Sequence, residues 1–463
     1  MESPREGRAV DSALASALHP GSPVAESPIS ARPAFSPHRS ADQHRAAALW
    51  LAAVLAFGAG GCTVVKLPDC LEPSAKAPVA KGIPPSRQAL IGIDGSASMA
   101  GFLNGSGGGE AWKQLLKAIK LTATGYGPTA VYRIGGSSGT AVGAITEAAD
   151  PCFFGGCPGR PNLASSLHTL WTIPRAGAVP PLRVILSDLE VNQGDISALR
   201  QAIQDDLARG ASIGVLGVRL PFEGTVFDSN ARRLHVGKAN RPAYLVATGS
   251  KGAVESFLEG VRQTLALSGF NGPIEISLLG AAPPTLKAAT AWGEPRGAAS
   301  TGLPIRIGGT TYGPSDNGDY QLVKLLPGAT GLAVSSSKGL GATGTAASPA
   351  PAGLMTLTPL PLAGTGADGS LQGVAVSGLA VSGRQLVARF RVPPGTPAGA
   401  FRATVEAGGL PEPWWLSWSR SDPASAQAKD QTDNLLLTLS SLSQAAVPAG
   451  SPPAVAFCVA FTT

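Results

Sequence analysis

From residue 88 to residue 267, short apolar runs alternate with segments whose apolar residues recur every three or four positions. The runs at 88–93, 130–134, 140–146, 182–186, 213–218 and 243–247 predict strands. The periodic segments predict helices over 110–122, 162–171, 196–207 and 253–267. Within 110–122, Leu115, Leu116 and Ile119 share one face, while Lys113, Lys117 and Lys120 fall on a polar one. Nearly continuous apolar strands separated by helices predict an α/β domain, a doubly wound and mostly parallel sheet covered on both faces, over 87–270. In such sheets ligands bind at the carboxyl ends of the strands. Asp94 and Asp188 both stand at such ends.

After Gly272 the period changes to two. Leu386, Ala388, Phe390 and Val392 alternate with Val387, Arg389 and Arg391, and 401–406 and 414–418 continue the alternation. This pattern predicts a β-rich domain over 271–463, of immunoglobulin-like sandwich type. Leu435, Leu436, Leu439 and Leu442 mark a helix near 432–446, and an apolar strand runs through 457–461. The Gly-, Ala- and Ser-rich stretch 328–353 predicts a mobile loop.

Residues 1–45 have no apolar period and read as a disordered extension. Every residue of 46–61 is apolar or small, yet a helix of that length spans only ~24 Å, short of a ~30 Å hydrocarbon core. The stretch ends in Ala59-Gly60-Gly61-Cys62. Residues 46–62 therefore resemble the signal peptide of a bacterial lipoprotein. The resemblance implies that Cys62 is acylated, that a lipid attaches the chain to a membrane of the cell envelope and, with Thr63 rather than Asp following, that this is the outer membrane. Residues 63–86 then read as a tether.

Composition narrows the partners. The formal charge of +6 raises nucleic acid, but the 36 Lys and Arg are scattered singly, with no basic run and no interleaved aromatics, so none is expected. Five cysteines, none in a C-x-x-C pair, argue against a disulfide scaffold and a zinc site. Export permits disulfides among the other four. Cys152 and Cys157 flank a turn-like Phe-Phe-Gly-Gly, and Cys70 and Cys458 would staple the two ends of the folded portion.

The chemistry is concentrated in Asp94-Gly95-Ser96-Ala97-Ser98, directly after the first strand. Two hydroxyls at alternate positions of a tight loop can converge on a hard cation, with a carboxylate holding its water. This D-x-S-x-S motif resembles the metal-ion-dependent adhesion site of von Willebrand factor A domains. Ser96 and Ser98 match the coordinating hydroxyls, Asp94 the first-loop aspartate, and Asp188 the aspartate after a later strand. Where the family has Thr before Asn-Leu, this chain has Pro161, with Asn162 the available substitute; Leu189 stands where the family has Gly. The resemblance implies a weak Mg2+ or Mn2+ site, Ca2+ being less suited, that takes an acidic group of a protein partner. The implied function is metal-dependent adhesion or scaffolding outside the cytoplasm, with no catalysis; the alternative is a structural envelope lipoprotein without metal. Gly135-Gly136-Ser137-Ser138-Gly139 also fits a nucleophile elbow, with Asp188 and His235 following in hydrolase order. A β-branched segment follows it where a helix is required, so a hairpin turn is expected instead.

Overall fold

In the computed structural model, the described residues are 64–71, 83–84, 88–104, 108–174, 179–280, 287–294, 298–300, 304–316, 320–337, 348–362, 371, 373–382 and 385–462. Cys62, the apolar stretch before it and the extension 1–45 lie outside them. Seven strands between residues 89 and 279 form one sheet. They are β1 (Ala89–Asp94), β2 (Thr129–Ile134), β3 (Thr140–Val142), β4 (Leu182–Ser187), β5 (Ser212–Phe227), β6 (Arg233–Gly249) and β7 (Ile274–Leu279). Their order across the sheet is β3-β2-β1-β4-β6-β5-β7.

Alternation along the strands divides the apolar residues between two faces. Ile91, Ile93, Val184 and Leu186 pack against Leu115, Leu116 and Ile119 of helix α1 (Gly108–Ala123) and Phe257, Leu258 and Val261 of α3 (Lys251–Leu267). Leu90 and Ile185 face the other way, toward Ile196, Leu199 and Ile203 of α2 (Gln193–Ala208). The sheet is thus covered on both faces.

It is not mostly parallel. Only β1–β2 and β1–β4 pair parallel; β2–β3, β4–β6, β5–β6 and β5–β7 are antiparallel. The cause is the segment between residues 218 and 243. Instead of a crossover, it forms a long hairpin in which β5 and β6 stay paired from Ser212–Gly249 out to Phe227–Arg233. A hairpin can only be antiparallel. Pro221, Gly224, Gly237 and the polar residues of this arm break the apolar run and conceal the strands in the sequence.

Two further local expectations change. Residues 162–171 are helical only as a short 3-10 turn, Leu167–Trp171. The backbone before it is taken by the neighbouring loops: Leu163 bridges Ser96, and the Ala164 carbonyl accepts from the Gly136 amide at 2.9 Å. The strand expected at 140–146 ends at Val142, and Ile145–Ala149 winds into a 3-10 turn.

The β-rich part contains two five-stranded sheets. Phe401, Phe457, Val459 and Phe461 of one pack against Leu332, Val334, Leu386 and Phe390 of the other. Gly331–Ser337, within the stretch expected to be a mobile loop, is an inner strand of the second sheet, hydrogen-bonded on both edges. Residues 338–347 of that stretch lie outside the described residues. Val65–Lys66, from the expected tether, pairs with Thr310–Gly313, and Leu67 beyond it is buried.

The chain then returns to the first sheet. Residues 414–418, expected as a strand, form helix α4 (Pro413–Trp418), because Pro413 fits the first turn and the i, i+4 spacing puts Trp414 and Trp418 side by side. With α5 (Leu435–Ala445), this helix buries Trp414, Trp415, Trp418, Leu435, Leu439 and Leu442 against Ile213, Val215 and Tyr244. Residues 413–446, read from sequence as part of the β-rich domain, therefore complete the core of the α/β layer.

Candidate metal centre

Strands β1, β2 and β4 run parallel side by side, so their carboxyl ends share one edge. There β1 ends at Asp94, which is fully buried. Its Oδ1 accepts the Ser96 amide at 2.9 Å, closing the loop back on itself. Gly95 is needed at this bend, since a Cβ there would stand 2.7 Å from Arg133 Nε. Asp94 Oδ2 accepts two hydroxyls, Ser165 at 2.6 Å and Ser187 at 2.7 Å. Ser96 Oγ and Ser98 Oγ are 3.0 Å apart. Ser98 in turn hydrogen-bonds Asp188. Asp94, Ser96, Ser98 and Asp188 thus belong to one connected cluster, to which Ser165 and Ser187 are added.

Asn162 is not part of it. The side chain is exposed and lies over Gly155 of the neighbouring turn, where an added Cβ would meet its amide oxygen at 2.3 Å. Ser165, three residues later, is the residue of this loop whose hydroxyl reaches Asp94. Sequence reading passed over Ser165 and Ser187, although Ser187 immediately precedes Asp188 at a strand end.

Behind this cluster sits a buried charge network. Burial raises the Asp188 carboxyl above its ordinary range, the Asp94 charge adds to this, and Arg241 and the Ser98 hydroxyl oppose it. Arg241 Nη2 lies 4.0 Å from Asp188 and 2.6 Å from Glu190 Oε1, which also accepts Arg420 Nη2 at 2.9 Å. Glu190 Oε2 accepts the Asp433 amide at 3.1 Å. Burial pushes the Glu190 carboxyl up to about 7, against the two guanidiniums that hold it down. Thr432 Oγ1 reaches the Asp188 carbonyl at 3.4 Å and is itself bonded to the Tyr244 hydroxyl. The loop carrying Asp188 is therefore clamped from behind by residues 420–433.

No family model, curated protein or solved structure matches this chain. What the cluster can do rests on its own donor set. Two carboxylates and the hydroxyls of Ser96, Ser98 and Ser165 form an all-oxygen environment suited to a hard cation and unsuited to zinc or copper. Among the described residues there is no group of three His, Cys, Asp or Glu placed to hold a metal, so hydroxyls would have to supply most of the shell.

The hydrolase residues do not converge. Ser137 is exposed in the turn between β2 and β3, and a strand, not a helix, follows it. His235 lies out on the β5–β6 arm, six residues or about 20 Å along β6 from Arg241, the residue beside Asp188. Among the described residues no hydrogen bond joins Ser137, Asp188 and His235. Cys152 and Cys157 are disulfide-bonded with Cα atoms 5.3 Å apart. Cys70 and Cys458 are bonded at 6.3 Å, joining the segment after Val65–Lys66 to the last strand.

Proposed function

We propose that residues 87–270 act as a von Willebrand factor A-like module in which Asp94, Ser96, Ser98, Ser165 and Asp188 hold a divalent cation. The cation presents a free position to an acidic group of a protein partner, and Cys62 carries the lipid that places the module at the cell envelope. The observation that carries this reading is the 3.0 Å separation of Ser96 Oγ and Ser98 Oγ. Neighbouring ligands of an octahedral ion bound at 2.0–2.1 Å stand about 2.9 Å apart, so two hydroxyls at this separation can ligate one ion. With only two carboxylates in the cluster, Mg2+ or Mn2+ suits it better than Ca2+, which gathers more oxygen ligands.

The test is thermal unfolding with either ion. An ion at one hundred times its dissociation constant adds about 2.7 kcal/mol to stability. Replacing Ser96 and Ser98 together by Ala should remove that gain and leave the metal-free melting temperature nearly unchanged. If neither ion moves the melting temperature, and a chelator leaves partner capture from envelope extract intact, the cation reading fails. Lipid attachment is checked separately by intact mass: unmodified Cys62, or retention of the residues before it, rejects the anchor.

One observation favours a metal-free structural role. Asp94 already accepts three hydrogen bonds, and Arg241 supplies positive charge near Asp188. On that reading the cluster is a closed polar network tying the ends of β1 and β4 to the loop that carries Ser165. Ser96→Ala with Ser98→Ala would then lower the melting temperature without any ion present.

A further inference from the structure

Four arginines are buried among the described residues: Arg133, Arg183, Arg241 and Arg420. Three have a carboxylate within ion-pair distance. Arg183 meets Asp206, and Arg241 and Arg420 meet Glu190. Arg133 does not, although only 6% of its surface is exposed. Its Nε donates to the Phe153 carbonyl, and its Nη2 donates to the carbonyls of Gly95 at 3.2 Å and Pro161 at 2.8 Å. These bonds engage Nε and Nη2 and leave over Nη1, which is not a buried unpartnered atom but one that solvent still reaches. The Phe153 ring lies 6.0 Å from the guanidinium carbon and Asp94 acts on it from beyond ion-pair distance, so an anion in direct contact would offset the remaining desolvation.

Arg133 lines a cavity of about 220 Å³ between the Gly135–Gly139 turn and the loop ending at Leu163. Arg160 lines the same cavity, as do Ser137, Ser138 and Thr140. Arg160 is half-buried and pairs with Glu147 at 2.8 Å. Burial lowers the Arg133 pKa, the neighbouring Arg160 charge adds to this, and the Asp94 charge opposes both. The Cys152–Cys157 disulfide shapes the wall: it brackets the Phe153 carbonyl that holds Arg133, and the Cys157 carbonyl accepts the Arg160 amide at 3.0 Å.

We propose that this cleft is an oxyanion-binding subsite, separate from the cation cluster, in which Arg133 and Arg160 take a carboxylate or phosphate-sized group directly, with the serine hydroxyls as further donors. It needs no metal, so it stands or falls independently of the cation reading. A partner offering two acidic groups would engage both places, because Gly95, whose carbonyl holds Arg133, directly follows Asp94.

The experiment is a thermal-shift titration of the full chain with chelator present throughout. Inorganic phosphate and succinate are the two probes, with sodium chloride at matched ionic strength as reference. A saturable rise in melting temperature above the chloride reference is expected. Arg133→Gln removes three structural contacts and can unfold the loop, so Arg160→Gln carries the test. It should weaken half-saturation about tenfold, the loss of one charge-assisted hydrogen bond. Tighter saturation by succinate identifies a protein carboxylate as the ligand, and tighter saturation by phosphate a free anion; either supports the subsite. A rise that does not saturate, or that Arg160→Gln leaves unchanged, is general salting-out and overturns it.

Discussion

Leu189 carries a left-handed backbone, φ 53°, between the two acidic residues Asp188 and Glu190. For a side chain with a Cβ this conformation costs about 1–2 kcal/mol, while burying a leucine returns about 1.5–3 kcal/mol. Leu189 is fully buried in the core beneath α2, so burial wins and the chain tolerates a non-glycine here. The turn is also held by the Leu189 amide donating to Ser187 Oγ at 3.0 Å, the hydroxyl that itself donates to Asp94. A specific ranking follows. Leu189→Ala loses the packing but keeps the strain, whereas Leu189→Gly loses the packing and the strain together. Urea denaturation should find Leu189→Gly more stable than Leu189→Ala by about 1 kcal/mol, the reverse of the usual order of these residues. The usual order would mean that the left-handed turn is not maintained in solution.

At the scale of elements, what matters is how the loop after β4 is held. Residues 420–433 reach it from the far end of the chain through Arg420, Thr432 and the Asp433 amide, all converging on Asp188 and Glu190. Arg219 and Asn240 of the β5–β6 arm bond to Asp430, and Ser229 to Asp433, so the same segment also braces the arm. The charge at the centre of this clamp should be visible in pH dependence. Glu190 has a folded pKa of about 7, above its ordinary 4.5, and Asp188 is shifted the same way. Between those pH values the folded chain binds more protons than the unfolded one, so stability falls as pH rises from about 4.5 to about 7. Denaturation midpoints at pH 5 and pH 8 should differ in that direction, with pH 5 the more stable. Glu190→Gln should flatten the difference. It should also cost about 3–5 kcal/mol at pH 8, because it leaves Arg241 and Arg420 buried without their shared carboxylate. Equal midpoints in the wild type would show that the guanidiniums hold Glu190 fully charged across the range.

On the scale of the whole molecule, the described residues from Val64 onward cluster as one unit. The β-rich sandwich has its own core, but the α/β layer borrows part of its second face from α4 and α5. Trp414 and Trp415 are fixed there by donating to one acceptor, Ser277 Oγ on β7, at 2.9 and 3.0 Å. A fragment of residues 87–270 would expose the apolar surface these helices cover, and each large buried side chain is worth about 1.5–3 kcal/mol. The fragment should therefore aggregate or show a non-cooperative thermal transition. Adding residues 413–446 as a fused segment should restore a single sharp transition. Cooperative unfolding of the bare fragment, at the temperature of the full chain, would show that the returning helices are dispensable.

The sequence by itself determined the alternation of strand and helix from residue 88 to 267, the change to a β-rich second part, the helix near 432–446 and the chemical character of Asp94, Ser96, Ser98 and Asp188. Each of these is written in spacing over a few residues: period two against period three or four, or hydroxyls at alternate positions after a strand. Only the tertiary structure decided that the sheet is mixed, because strand direction depends on whether residues 219–242 cross over the sheet or turn back as a hairpin. Only it brought Ser165 and Ser187 onto Asp94, 71 and 93 positions away, in place of Asn162. It alone joined Arg420 to Glu190 across 230 positions and left Arg133, among the described residues, without a carboxylate in ion-pair distance. Local period reports which face of an element is apolar, and is silent about which distant element will come to cover that face or neutralise a buried charge.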